Sequence, residues 1–163
     1  MNIVPFPPMK RPLVAILRGV KPDEVEGIVG ALIDNGMTAI EIPLNSPDPF
    51  RSIEIAVKKA PAGILVGAGT VLTLEAVERL HDVGGRLLVT PNVDPEIIAQ
   101  ARARGMVTMP GVFTPMEASQ RRGTWRLSFI ENADRQRSAF MSFVNVWMAF
   151  NRRRRMLAWQ SSR

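Results

Sequence analysis

The sequence predicts an α/β protein: a (β/α)8 TIM-type barrel, incomplete at about five βα units, followed by an atypical C-terminal tail. Three observations carry this. Short apolar runs alternate with helical stretches through residues 13–113. The runs are uniformly apolar, as in a parallel sheet whose faces are both covered by helices. Their spacing of roughly 20 to 26 residues is regular, which favours a barrel over a doubly wound sheet. No GxGxxG follows the first run, which weakens a dinucleotide-binding reading.

The elements follow in order. Residues 13–18 (LVAILR) form the first strand. Pro22, Asp23 and Glu24 suit the first turn of a helix, where acidic groups meet the positive end of its dipole. Val25, Ile28, Val29, Leu32 and Ile33 share one helical face, and Gly36 closes the helix. Residues 38–44 (TAIEIPL) are the second strand, followed by the turn NSPDP and a helix over about 50–60. The pattern repeats as a strand over 64–70, a helix over 73–83, a strand over 86–92, a helix over 95–104 and a strand over 106–113.

Composition narrows the function. The chain has 163 residues, 46% of them hydrophobic and 22% charged, which is globular composition. It has no cysteine, so disulfides, thiol chemistry and cysteine-based zinc sites are excluded. His81 is the single histidine and lies in a helix beside Asp82, where an exposed or capping role is expected. No run reaches the roughly 20 apolar residues of a membrane span, and prolines interrupt the N-terminal stretch. A cytoplasmic protein is expected.

The charge is divided. Residues 1–118 carry 11 Lys and Arg against 13 Asp and Glu, whereas residues 119–163 carry 10 Arg against 2 acidic groups. The second segment also holds all three Trp, no Pro and a single Gly. Residues 1–118 are therefore read as a partial barrel and 119–163 as a divergent basic tail.

In a barrel, function gathers where strands end. Those ends carry Arg18, Glu41 with Asn45, Thr70, Thr90 with Asn92, and Thr114. Glu41 is the most informative, because it stands between Ile40 and Ile42 inside a strand. A carboxylate there must be paired, for instance with Arg18, or have a raised pKa suited to proton transfer. Arg18 can grip a carboxylate or phosphate through two parallel hydrogen bonds. Gly67 and Gly69 are expected to let backbone approach a ligand beside the Thr70 hydroxyl, or simply to serve strand–helix packing.

AILRG (15–19), EIPLNSP (41–47), VGAGTVL (66–72), VTPN (89–92) and MPGVFTPMEA (109–118) occur in order. Together they resemble the 2-keto-3-deoxy-6-phosphogluconate aldolase family over residues 13–118, and NSP favours its phosphogalactonate branch. The resemblance implies a class I aldolase on a barrel, usually a homotrimer, that needs no metal or other cofactor. Its substrate class is a phosphorylated 2-keto-3-deoxy sugar acid. A lysine amine forms an iminium with the substrate, and cleavage yields pyruvate and D-glyceraldehyde 3-phosphate. Glu41 matches the proton donor and acceptor. Arg18 and Thr70 match substrate contacts, and Pro91 and Phe113 match pocket-lining positions.

The resemblance also implies a Schiff-base lysine at the end of a sixth strand, in a segment like ALKLFPA about a dozen residues beyond Ala118. This chain has no lysine after Lys59. Lys58 and Lys59 end a helix, Lys10 precedes the first strand at the wrong end of the barrel, and Lys21, the one substitute on the correct rim, opens a helix toward solvent. Arginine is no substitute, because its guanidinium stays protonated. An inactive or severely impaired aldolase is expected. The glycine-rich phosphate loops are missing too, since no glycine follows Gly123.

The tail reads as a non-native segment, out of frame or from a rearranged gene. A shifted reading of codons able to encode Trp125–Ser128 spells Ala-x-Lys. The alternative is that RRRR (152–155) with Trp147 and Trp159 binds nucleic acid, or that residues 138–150 lie on an anionic membrane surface. Neither partner is expected. A five-stranded array would leave the edges of its first and fifth strands open.

Overall fold

Alternating strands and helices follow one another without interruption from Ala15 to Val112. The structure is a computed structural model that describes residues 13–112 and 128–129, all within one unit, Met1–Phe129. The elements are β1 (Ala15–Ile16), α1 (Pro22–Asp34), β2 (Ala39–Pro43), α2 (Pro49–Lys59), β3 (Leu65–Gly69), α3 (Leu74–Asp82), β4 (Leu87–Thr90), α4 (Pro95–Ala103), β5 (Val107–Val112) and β6 (Ser128–Phe129).

All pairings are parallel, and the strand order is β1-β2-β3-β4-β5-β6. A doubly wound sheet reverses direction at a switch point, and this sequential order has none. The array is an incomplete (β/α) barrel, as the sequence predicts.

Local signals set the helix boundaries. Glu24 reaches back to accept the Lys21 backbone N–H at 2.9 Å, and Pro22 opens α1. Past its end, Gly36 takes φ +81°, and the N–H groups of Gly36 and Met37 close onto the carbonyls of Ile33 and Leu32. Thr73 and Asp94 cap α3 and α4 through their side-chain oxygens. Neighbouring helices are tied at the surface by Lys59–Glu26, Arg79 over the Phe50 ring, and Arg104–Glu78.

Two apolar layers flank the sheet. Ile40, Ile42, Val66, Ala68 and Leu88 face the helices and meet Val25, Val29, Ile53, Val77 and Ile97. Ala39, Leu65, Leu87 and Val107 form the inner layer, with Val14, Val89 and Met109 packed against it. The alternation in β2 is decisive: Ile40 and Ile42 belong to the outer layer and Ala39 to the inner, so Glu41 shares the inner face.

Two expectations change. The first strand is two residues long rather than spanning 13–18, because its ladder with β2 covers only Ala15 and Ile16, continued by the Leu17 N–H to the Glu41 carbonyl. The fifth strand does not end as an open edge, because Gly111 and Val112 pair with Ser128 and Phe129. Phe113, Thr114, Lys10 and, apart from Ser128–Phe129, the tail 119–163 with its Arg and Trp residues lie outside the described residues. Among the described residues, no helix is long and apolar enough to cross a membrane.

Candidate active site

Parallel strands place all their C-terminal ends on one rim. Arg18 follows β1, Asn45 and Ser46 follow β2, Thr70 follows β3, and Pro91 with Asn92 follows β4. Glu41 lies just below this rim. Its register neighbours are Ile16 on one side and Gly67 on the other, and the row continues to Leu87 and Val107.

This setting explains its chemistry. Glu41 is 4% exposed, and its Oε2 has no hydrogen-bond partner among the described residues. Burial pushes its pKa up to about 8 against the opposing pull of the Arg18 charge. Of the two readings open from sequence, a paired carboxylate or a raised pKa, desolvation decides for the second. At neutral pH this carboxyl keeps its proton.

The glycines around it serve a different purpose from the one expected. A Cβ on Gly69 would overlap the Glu41 carboxyl group, and one on Gly67 would overlap the Leu87 carbonyl. The room they leave is filled by the protein itself. Gly69 gives the buried carboxyl its space, and Gly67 lets β3 and β4 approach.

Arg18 is exposed at the rim and donates from Nη1 to the Asn45 side-chain oxygen at 3.2 Å. The Gly19 N–H donates to Ser46 Oγ at 3.0 Å. Thr70 has φ +59°, a left-handed backbone that a β-branched residue adopts only under constraint. Thr90 is fully buried, and its hydroxyl bonds to the Asn92 side-chain oxygen at 2.9 Å. Pro91 is half-buried beside it. The structure thus brings Arg18, Glu41, Thr70 and Pro91 to one rim, while Phe113 lies outside the described residues. Ser46 was not singled out from sequence, although an Asn-Ser-Pro-Asp turn just beyond a strand is a signal for side-chain-to-backbone bonding.

None of the described lysines lies beside Glu41. Lys58 and Lys59 end α2, which runs back to the opposite rim, and they bond to Glu54 and Glu26. Lys21 is exposed at the start of α1. His81 is half-buried in the last turn of α3, 3.8 Å from Asp82. Among the described residues, no group of three or more histidines and carboxylates could hold a metal ion.

The sequence model of the KDPG and KHG aldolase family matches residues 8–127. A probable 2-dehydro-3-deoxy-6-phosphogalactonate aldolase of Rhizobium meliloti is 73% identical over 118 residues, covering 72% of this chain and 56% of that protein. The 2-dehydro-3-deoxy-6-phosphogalactonate aldolase of Escherichia coli is 50% identical over 109 residues, covering 67% of this chain and 53% of that protein. A solved structure described as native KDPGal superposes with a TM-score of 0.72 at 43% identity, covering 78% of this chain and 63% of that one. The chain spans about half the length of the curated relatives it matches.

Proposed function

We propose that this chain, which belongs to the KDPG and KHG aldolase family, carries the acid–base and anion-gripping half of a Schiff-base aldolase site and lacks the amine that completes it. The observation that carries this reading is Glu41, a buried carboxyl with a raised pKa at the mouth of a parallel barrel. Its substrate would be 2-dehydro-3-deoxy-6-phosphogalactonate, because the two relatives above carry that activity in their names.

In the complete reaction, an amine adds to the C2 ketone and the carbinolamine loses water to give an iminium. Glu41 is protonated at neutral pH, so it supplies the proton that lets hydroxide leave as water. The resulting carboxylate takes the proton of the C4 hydroxyl. The C3–C4 bond then breaks, its electrons pass to the iminium as an enamine, and D-glyceraldehyde 3-phosphate departs. Glu41 returns a proton to C3, and hydrolysis frees pyruvate. Arg18 and Thr70 would hold the anionic end of the substrate, with Pro91 and Phe113 along the pocket wall.

Without that amine the cycle does not start, and what remains to this chain is binding of the anion and the proton held on Glu41. All four of its lysines precede residue 60, and the segment that should end in the Schiff-base lysine reads Ser128–Phe129 where it pairs with β5. Residues 119–163 are read here as a segment divergent in sequence from the family. A homotrimer and a cytoplasmic location belong to the same reading. The test is to add the phosphogalactonate substrate to the purified full chain and follow pyruvate release with lactate dehydrogenase. Release no faster than in buffer is expected, while turnover typical of an intact aldolase would overturn the reading.

A further inference from the structure

We propose that Asn45 and Ser46 are positioning residues for Arg18: by joining the loop after β2 to the loop after β1, they fix where the guanidinium stands on the rim. The inference rests on the reading of Arg18 as the anion grip. It starts from the shortness of β1. Its ladder with β2 stops at Ile16, and the last backbone bond between the two strands is the Leu17 N–H to the Glu41 carbonyl. Arg18 and Gly19 begin where that ladder ends.

Two side-chain bonds continue it, each joining residues 27 apart in sequence. Ser46 is 7% exposed, and its own N–H donates to the Pro43 carbonyl at 2.9 Å, so its hydroxyl is anchored to the end of β2. That hydroxyl accepts the Gly19 N–H, with Gly19 at φ +78°. A Cβ on Gly19 would meet nothing within 4 Å, so backbone conformation rather than crowding calls for glycine there. Asn45 then accepts from the Arg18 guanidinium itself.

The choice of acceptor matters. An exposed arginine has many rotamers, and ordering it on binding an anion weakens that binding. A carboxylate partner would order it but cancel the charge the anion needs. The amide oxygen of Asn45 is a neutral acceptor, so this bond holds the guanidinium without itself adding an opposing charge. That charge also acts on Glu41, where it opposes the effect of burial, so movement of Arg18 must register at Glu41. Among the described residues, Arg18 is the charged group acting on this carboxyl.

The test uses the full chain labelled with 13C at glutamate carboxyls, with Glu41→Gln assigning the Glu41 signal, and pyruvate as the anionic probe. Asn45→Ala, at an exposed position, and Ser46→Ala should each weaken pyruvate binding by about threefold to tenfold, the range of one hydrogen bond. Both should shift the Glu41 titration upward, as its cation drifts away. Ser46→Thr keeps the acceptor and should restore both values. Wild-type values in both variants, on a chain that binds pyruvate and has a raised Glu41 pKa, would overturn the positioning role and leave the site reading intact. A wild-type chain that ignores pyruvate, or whose Glu41 titrates as an ordinary carboxylate, would overturn the site reading and this inference with it.

Discussion

The carboxyl group of Glu41 occupies the space that a side chain on Gly69 would need. The two residues stand on adjacent strands, in a register that sets Glu41 opposite Gly67 and Pro43 opposite Gly69. A glycine near the end of β3 is therefore what allows a carboxyl to sit inside the sheet just beneath the rim. Gly69→Ala should cost about 1–3 kcal/mol in urea unfolding, the usual range for overpacking. Much of that loss should vanish when Glu41→Ala is added, because the overlapping group is gone. The double-mutant cycle measures the coupling directly.

Gly67→Ala offers a contrast. Its Cβ would overlap the Leu87 backbone carbonyl, which cannot swing aside as a side chain can. The cost should be larger, about 3 kcal/mol or more, and Glu41→Ala should not relieve it.

Stability should depend on pH through Glu41. Its folded pKa of about 8 lies above the ordinary 4.5, so the folded state holds a proton that the unfolded chain gives up. The contribution of that proton is complete below pH 4.5 and is lost as pH rises through 8. Its full size is on the order of a few kcal/mol. Denaturation midpoints measured between pH 5 and 9 should fall across this window in the wild type, with a flatter profile in Glu41→Gln.

Thr70 should show strain kept for function. Its φ of +59° suits glycine far better than a β-branched residue. Thr70→Gly should leave thermal stability equal or higher, by up to about 1 kcal/mol, while pyruvate binding measured by NMR weakens.

Much of the fold was legible because its signals are local. The first turn at Pro22, Asp23 and Glu24, the Gly36 stop and the buried stripe of Val25 and Val29 all depend on spacings within a turn or two. Glu41 was legible because a charge between two isoleucines has few explanations. What stayed hidden is relational. No sequence rule sets the level of β3 against β2, so the pairing of Gly69 with the Glu41 carboxyl needed coordinates, as did the grip of Ser46 on Gly19. The short β1 has the same origin: LVAILR has the composition of a full strand, but ladder length is decided by the partner. Ser128–Phe129 sits in a segment whose composition gave no strand signal, and only its pairing with Gly111 and Val112 identifies it.

On the proposed reading, the buried carboxyl of Glu41 stands here without the amine it would serve. Incubating the full chain with pyruvate and sodium borohydride, then measuring intact mass, tests this most directly. An unshifted mass is predicted, because none of the described lysines lies beside Glu41. A stable pyruvyl adduct on any lysine would contradict the account and identify the missing amine.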